Sequence, residues 1–273
     1  MATLDGYWVL RSQFHFPKYD RDERIMSYLK LAGFGDVALI QRFDLRANLT
    51  SALVERWCTE THTFIMPCGE CTITLEDVAM QLRLRVDDAV VMGRRKVFEP
   101  SVLCHRLLGR SPSDGEQNFT CLTLAWLRAN FKELSSTATE HEVMCAVRAY
   151  IMQLIGVIHL KYLPLLKDFS RAGSYSWGST VLAILYHELC RATKHGVINM
   201  VCCQGLLQSW ALYRMPFLAA VRHQPYSWPL MSHVFGNWYE PNINHLPLND
   251  RGIHRRQILA DAIYCTEHFN PYS

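Results

Sequence analysis

Apolar side chains recur every three or four residues along most of this 273-residue sequence. That spacing places them on one face of an α-helix. In "RDERIMSYLKLAG", Ile25 and Leu29 share such a face, Asp20 is the predicted N-cap, and Gly33 is the predicted end. Similar stretches predict helices in "LRANLTSALVERW" (capped by Asp44), "CLTLAWLRANF", "HEVMCAVRAYIMQLIG", "STVLAILYHELCRATK", "CQGLLQSWALYRM" and "IHRRQILADAIYCTEH".

The periodicity changes to two residues in a single part of the chain. "THTFIM" and "CTIT" alternate side chains and are rich in strand-forming residues, and a turn separates them. This pattern predicts a small β-hairpin near residues 61–74. No stretch has the composition of an interdomain linker. The sequence therefore predicts a mainly α class, with residues 1–273 forming a single helical domain.

Composition and charge narrow the class of protein. Hydrophobic residues make up 49% of the chain, enough for a large core, and the net charge is only +3. The first residues lack the pattern of a signal peptide. The longest apolar stretch, "YIMQLIGVIHLKYLPLL", is interrupted by polar residues and a proline, so we expect no membrane span. The ten cysteines are expected to be reduced, which predicts the nucleus, with the cytoplasm as the alternative.

The stretch "PCGECTITLEDVAMQL" combines a possible metal motif with two adjacent carboxylates. Cys68 and Cys71 have the spacing of a zinc knuckle, but a structural zinc site needs four ligands. The only other close pair, Cys202 and Cys203, is adjacent in a predicted helix, so its side chains diverge. Glu76 and Asp77 point about 100° apart on a helix, so they do not converge on a substrate. Thr74 with Asp77 resembles a capping box. We therefore interpret the stretch as a turn followed by a helix start.

Two further stretches imitate the metalloprotease motif His-Glu-x-x-His. "HEVMC" begins at His141 and has Cys145 in place of the second histidine, whereas "HELCR" begins at His187 and has Arg191 there. No third ligand is identifiable for either stretch, so we predict capping or surface histidines and assign no catalytic residue.

Basic residues form small clusters that could contact nucleic acid. Lysine and arginine would then neutralise phosphates, but the sequence pI of about 8.3 is below that of a dedicated nucleic-acid-binding domain. Nucleic-acid binding is therefore the alternative function. Its candidate residues are Arg83, Arg85, Arg94, Arg95, Lys96, Arg255 and Arg256.

Four stretches occur together in a fixed order: "ALVERWCTETHTFIMPCGECTITLEDVAMQL", "LKYLPLLKDFSRAGSYSWGSTVLAILYHELCRAT", "LLQSWALYR" and "HRRQILADAIYCTEHFNPY". Together they resemble the plant mobile domain family, also called aminotransferase-like, over a core of about residues 19–272. Members often read Gly-Leu-Pro where this chain has Arg83-Leu84-Arg85. The structural signature consists of aromatic residues, turn residues and one acid: Trp57, Phe64, Pro67, Gly69, Glu70, Tyr175, Trp177, Gly178 and Trp210.

The resemblance implies a non-enzymatic, nuclear protein-interaction module. Its expected roles are transposon silencing, genome stability and meristem development, in a protein of host or transposon origin. The implied partners are another plant mobile domain protein or a phosphatase 7-like protein, with no membrane and no small-molecule substrate. No cofactor is expected. A pyridoxal-phosphate enzyme is less well supported, because Lys161, Lys167 and Lys194 follow no phosphate-binding loop. Glu70 is expected to reach solvent or to pair with Arg56.

Overall fold

The computed structural model describes residues 11–12, 22–40, 45–67, 69–91, 93, 97–112, 119–154, 156, 159–194, 199–200 and 204–215. Within these ranges the chain is mainly helical, with short strands, which confirms the predicted class. In chain order the elements are β1 (Arg11–Ser12), α1 (Glu23–Leu31), α2 (Ala47–Val54), β2 (Trp57–Cys58), β3 (Thr63–Met66), β4 (Gly69–Cys71), α3 (Leu75–Leu82), α4 (Pro100–Leu108), α5 (Leu124–Asn130), α6 (Glu140–Leu154), α7 (Phe169–Ala172), α8 (Trp177–Ala192), β5 (Asn199–Met200) and α9 (Gln204–Arg214), with 3₁₀ helices at Val37–Leu39 and Leu160–Leu166.

The predicted hairpin is confirmed as part of a three-stranded sheet, but its second strand is Gly69–Cys71, so only the first residue of the predicted strand "CTIT" belongs to it. The sheet is antiparallel with the order β2-β3-β4, and Phe64 lies opposite both Trp57 and Cys71. A second, parallel pair joins β1 to β5. The sequence did not predict this pair because two-residue strands are too short to show an alternating pattern.

Most predicted helices are present, and two predictions of their ends are wrong. The N-cap of α1 is Asp22, not Asp20, because an Asp22 carboxylate oxygen accepts the Arg24 amide at 3.0 Å. The helix predicted through Trp57 ends earlier, at Val54, since Trp57 pairs with β3 as part of β2. Asp44 and the predicted C-terminal helix lie outside the described residues.

The start of α3 is the predicted capping box. The Thr74 hydroxyl accepts the Asp77 amide at 3.2 Å, and the Asp77 carboxylate accepts the Thr74 amide at 2.9 Å. The C-cap residue of the helix is Arg83, whose backbone is in the left-handed region with a φ of 53°. A glycine adopts this conformation without steric cost. Arg83 therefore adopts a backbone conformation that is unfavourable for a residue with a side chain.

One continuous core links two groups of helices. The first is built around α6, which packs against α1, α4, α5 and the 3₁₀ helix Leu160–Leu166. In the second, α3 packs against α8 and α9, and α9 also contacts α2. Buried residues of both groups belong to the same hydrophobic cluster. None of the helices that the structure describes is long and apolar enough to cross a membrane.

Arg148 on α6 is buried, with only 4% of its surface exposed. Its guanidinium donates to three backbone carbonyls: Leu107 at 3.1 Å, Leu166 at 3.0 Å and Lys167 at 3.3 Å. It also lies 5.2 Å from the centre of the Phe169 ring. Burial lowers the pKa of this arginine. The side chain thus joins α6 to the end of α4 and to the end of the 3₁₀ helix Leu160–Leu166.

We predict that Arg148→Met lowers the free energy of unfolding by about 3 kcal/mol, because three buried carbonyls lose their donor. Urea denaturation followed by circular dichroism measures the change. Arg171→Met is the matched control, since Arg171 is exposed, and it should alter stability by less than about 0.5 kcal/mol. If the two variants unfold at the same urea concentration, the Arg148 guanidinium does not hold α6 to α4 and to the 3₁₀ helix.

Candidate functional site

The aromatic residues of the signature meet where the small sheet packs on α8 and α9. The rings of Trp57 and Phe64 are 4.8 Å apart, and Phe64 stacks on Trp210 at 5.2 Å. Tyr186 of α8 lies 5.2 Å from Trp57. Aromatic pairs of this kind contribute about 0.5–1.5 kcal/mol each beyond the area that they bury. This aromatic cluster therefore fixes the sheet on the helices.

Hydrogen bonds at the edge of the aromatic cluster satisfy the polar atoms of Tyr186 and Trp57, whereas the buried indole N–H of Trp210 has no partner among the described residues. The Tyr186 hydroxyl donates to the Ile73 carbonyl at 2.7 Å. The indole N–H of Trp57 donates to the Cys190 sulfur at 3.3 Å. Because both polar groups are used inside the fold, these residues have a structural role in the described contacts.

The tip of the hairpin, from Pro67 to the start of β4, carries the other signature residues of this region. Pro67, Gly69 and Glu70 are all exposed. The Glu70 carboxylate accepts the Thr63 hydroxyl at 3.0 Å. Arg56 donates to a backbone carbonyl of α2 at 2.9 Å. Glu70 was expected to reach solvent or to pair with Arg56, and in the structure it reaches solvent.

The cysteine pair of the same turn is described only in part. Cys71 is exposed on β4, and Cys68 lies outside the described residues. Among the residues that the structure describes, no group of three or more His, Cys, Asp or Glu side chains is arranged to hold a metal ion.

Trp177 at the start of α8 is buried and makes a specific polar contact. Its indole N–H donates to the Ala172 carbonyl at 2.8 Å, and its ring lies 5.6 Å from Phe34. The Tyr175 ring meets Trp177 edge-on at 6.3 Å. Trp177 thus holds the start of α8 against α7 and against the chain that follows α1.

Gly178 lies where a second chain segment crosses the start of α8. Its amide donates to the Arg85 carbonyl at 2.8 Å. A Cβ atom at this position would lie 2.6 Å from a methyl of Val86 and 2.9 Å from the Arg85 carbonyl oxygen. Both distances are shorter than normal contacts, so the close crossing of the two segments requires glycine.

Asp77 has a second role that the sequence did not reveal. Its side chain is completely buried, and one carboxylate oxygen accepts the Arg214 guanidinium at 2.8 and 3.2 Å. Arg214 ends α9 and is half exposed. The two residues are 137 positions apart, so no local pattern indicates the pair. The capping residue of α3 therefore also fixes α9.

The two histidine motifs have different surroundings from those of a metalloprotease. The His141 ring nitrogen is 3.5 Å from the Cys145 sulfur, and burial raises the pKa of that thiol. His187 is exposed, 3.7 Å from Glu188, and Glu188 forms a 2.7 Å ion pair with Arg191. A buried thiol with a raised pKa is a poor nucleophile and metal ligand. These contacts are typical of helix packing.

The candidate nucleic-acid-binding residues are only partly described. Arg83 lies 3.6 Å from Asp36, and Arg85 forms a 2.8 Å ion pair with Asp88. Each arginine therefore has a carboxylate beside it that offsets its charge. The remaining candidates lie outside the described residues: Arg94, Arg95, Lys96, Arg255 and Arg256.

The exposed side of α4 was not predicted as a site. Phe98 and Val102 are 79% and 55% exposed, although both are large and apolar. They line a shallow groove with Pro164 of the 3₁₀ helix Leu160–Leu166. Glu99 and Arg106 also line this groove. We call the surface formed by Phe98, Glu99, Val102 and Arg106 the α4 face. The amphipathic pattern of "FEPSVLCHRLL" is the sequence signal that indicates it.

The family model described as "Plant mobile domain" matches residues 33–273. Three curated relatives come from Arabidopsis thaliana. MAIN-LIKE 1 is 39% identical over 71% of this chain and 40% of its own length. MAINTENANCE OF MERISTEMS is 37% identical over 76% of this chain and 46% of its own length. Serine/threonine-protein phosphatase 7 long form homolog is 43% identical over 68% of this chain and 14% of its own length. No solved structure matches the chain.

We predict that Gly178→Ala destabilises the fold by about 1–3 kcal/mol, because the new methyl group overlaps Val86 and the Arg85 carbonyl. In an unobstructed helix interior the same substitution would stabilise by about 1 kcal/mol. Whether the unfolding temperature falls or rises therefore tests whether the segment with Arg85 and Val86 crosses Gly178 this closely. Ser170→Ala, at an exposed position of α7, is a control that should leave the unfolding temperature nearly unchanged.

We predict that Arg214→Met destabilises more than Asp77→Asn. The first change leaves a buried carboxylate without its cation, at a cost of about 3 kcal/mol, whereas the second leaves an arginine that water can reach. Chemical denaturation of both variants and of the double variant measures the coupling between the two residues. Additive effects in the double variant would contradict a direct interaction.

Proposed function

Because this chain belongs to the plant mobile domain family and exposes an apolar α4 face, we propose that it is a non-enzymatic protein-interaction module. The proposed setting is a nuclear complex that acts in transposon silencing, genome stability and meristem development. The proposed partners are another plant mobile domain protein or a phosphatase 7-like protein.

The α4 face is the observation that carries this proposal. Exposed apolar side chains cost free energy in water, and a patch of them bordered by charges is typical of a protein-binding surface. Phe98 is the most exposed large apolar residue in the part of the chain that the structure describes. An aromatic anchor beside a groove is the arrangement that contributes most to binding at protein interfaces.

The signature residues support the same function by what they contact. Trp57, Phe64 and Trp210 lie in the aromatic cluster, while Trp177 and Gly178 fix the start of α8. Their shared role is to set the positions of the sheet and the helices. A signature that encodes a scaffold, and not a set of converging reactive groups, is consistent with a module that acts through its surface.

The relatives support a modular role. The chain spans less than half of the length of each of the three relatives described above, and only 14% of the phosphatase 7 long form homolog. A domain that occurs within proteins of such different length acts alongside other regions of those proteins. The name MAINTENANCE OF MERISTEMS supports the proposed developmental setting. The phosphatase name supports a phosphatase-related partner.

We predict that the chain forms a complex with the plant mobile domain of MAINTENANCE OF MERISTEMS or with the phosphatase 7 long form homolog. Val102→Asp should abolish the complex, because it places a charge in the apolar α4 face. Leu39→Asp is the matched control, since Leu39 is 56% exposed on a different segment, and it should leave binding intact. Size-exclusion chromatography with light scattering measures the complex. A chain that binds neither protein would refute the proposed function.

The same preparation separates this proposal from nucleic-acid binding. A labelled DNA duplex and an RNA strand are titrated at low and high salt, with wild type and with Arg83→Ala/Arg85→Ala. Affinity that falls steeply with salt and drops in the double variant would favour the nucleic-acid alternative. We expect neither effect.

A further inference from the structure

The charged residues of the α4 face lie on one stripe of the helix. Glu99, Val102 and Arg106 are separated by three and four residues, a spacing that places them above one another. Glu99 is the N-cap residue but makes no capping hydrogen bond with its side chain, and Arg106 lies in the last turn. The stripe thus has a negative end, an apolar middle and a positive end.

The charges of Glu99 and Arg106 are not paired within the described part of the chain. The side chains of Glu99 and Arg106 form no hydrogen bond or ion pair with another residue that the structure describes. Both are exposed, and both line the groove beside Phe98 and Val102. The face therefore presents one available anion and one available cation on either side of an apolar strip.

We propose that the α4 face binds a second copy of this chain, with the two α4 helices antiparallel about a two-fold axis close to Val102. This inference rests on the proposed function and names both the surface and the partner. Glu99 of each copy then meets Arg106 of the other, and the two Val102 side chains pack at the centre. Phe98 of each copy enters the groove of the other, beside Pro164.

The order of the charges is the reason for choosing a second copy. A two-fold axis reverses the direction of the stripe, so its negative end meets a positive end twice. Glu99 and Arg106 are seven residues apart, about 10.5 Å along a helix, and the same separation recurs on the partner by symmetry. A partner with a single sign of charge would satisfy one end and repel the other.

The ion pairs and the apolar contacts of the proposed dimer have different physical roles. Exposed ion pairs add little affinity, but they set the register and exclude the parallel arrangement. The apolar residues supply most of the driving force when they leave water. Because α4 has only nine residues, we expect an interface at the small end of the size range and a dimer that dissociates readily.

Reversal of the charges tests this geometry with the full 273-residue chain. Glu99→Arg creates a stripe with two positive ends, and Arg106→Glu creates one with two negative ends. By sedimentation equilibrium, wild type should dimerise, and each variant alone should dimerise at least about tenfold more weakly. An equimolar mixture of the two variants should form a heterodimer, because each positive end then meets a negative end. The double variant should recover self-association.

Glu55→Arg is the matched control, because Glu55 is an exposed residue at the end of α2, and it should dimerise like wild type. Circular dichroism checks that each variant is folded. A wild type that stays monomeric overturns the inference, as does a mixture that fails to recover association. If the chain nevertheless binds another plant mobile domain protein, only this inference fails and the proposed function stands. If it binds neither itself nor the proposed partners, both fail.

Discussion

The buried cation Arg148 holds together the helices around α6. The Arg148 guanidinium is surrounded by backbone carbonyls, and it spans the end of α4 and the end of the 3₁₀ helix Leu160–Leu166. Taking a guanidinium out of water is expensive, so the fold tolerates it only where several acceptors are fixed around it. Earlier residues of the same two helices line the groove beside Phe98. The proposed binding surface therefore depends on a buried interaction behind it.

The other group of helices is organised by aromatic packing and one ion pair. The aromatic cluster joins the small sheet to α8 and α9, and the pair between Asp77 and Arg214 joins α3 to α9. Both sets of contacts bring together residues from distant parts of the chain. The close crossing at Gly178 adds the segment after α3 to the same framework. The three signature stretches that the structure describes therefore act together: the first contacts the second through Trp57 and Tyr186, and it contacts the third through Phe64 and Trp210.

The separation between a buried scaffold and an exposed α4 face is the physical basis of the proposed role. The scaffold buries Trp57, Trp177 and Trp210 and the capping acid Asp77, whereas the residues of the α4 face are exposed. A rigid face loses little conformational entropy on binding, which favours association even over a small area. The arrangement of charges on that face then decides which partner fits and in which direction.

Periodicity and local side-chain chemistry determined the helical class, the position of the hairpin and the capping box at Thr74. Each of these depends on residues within a few positions of one another, so the sequence contains the whole signal. The N-cap of α1 is Asp22 and not the predicted Asp20, because an aspartate at either position can accept a free amide. Only the tertiary structure decided that Arg148 is buried among carbonyls, that Asp77 pairs with Arg214, and that Phe98 is exposed. The physical reason is that burial and long-range contacts depend on how the helices pack, and residues far apart in the chain share no local pattern.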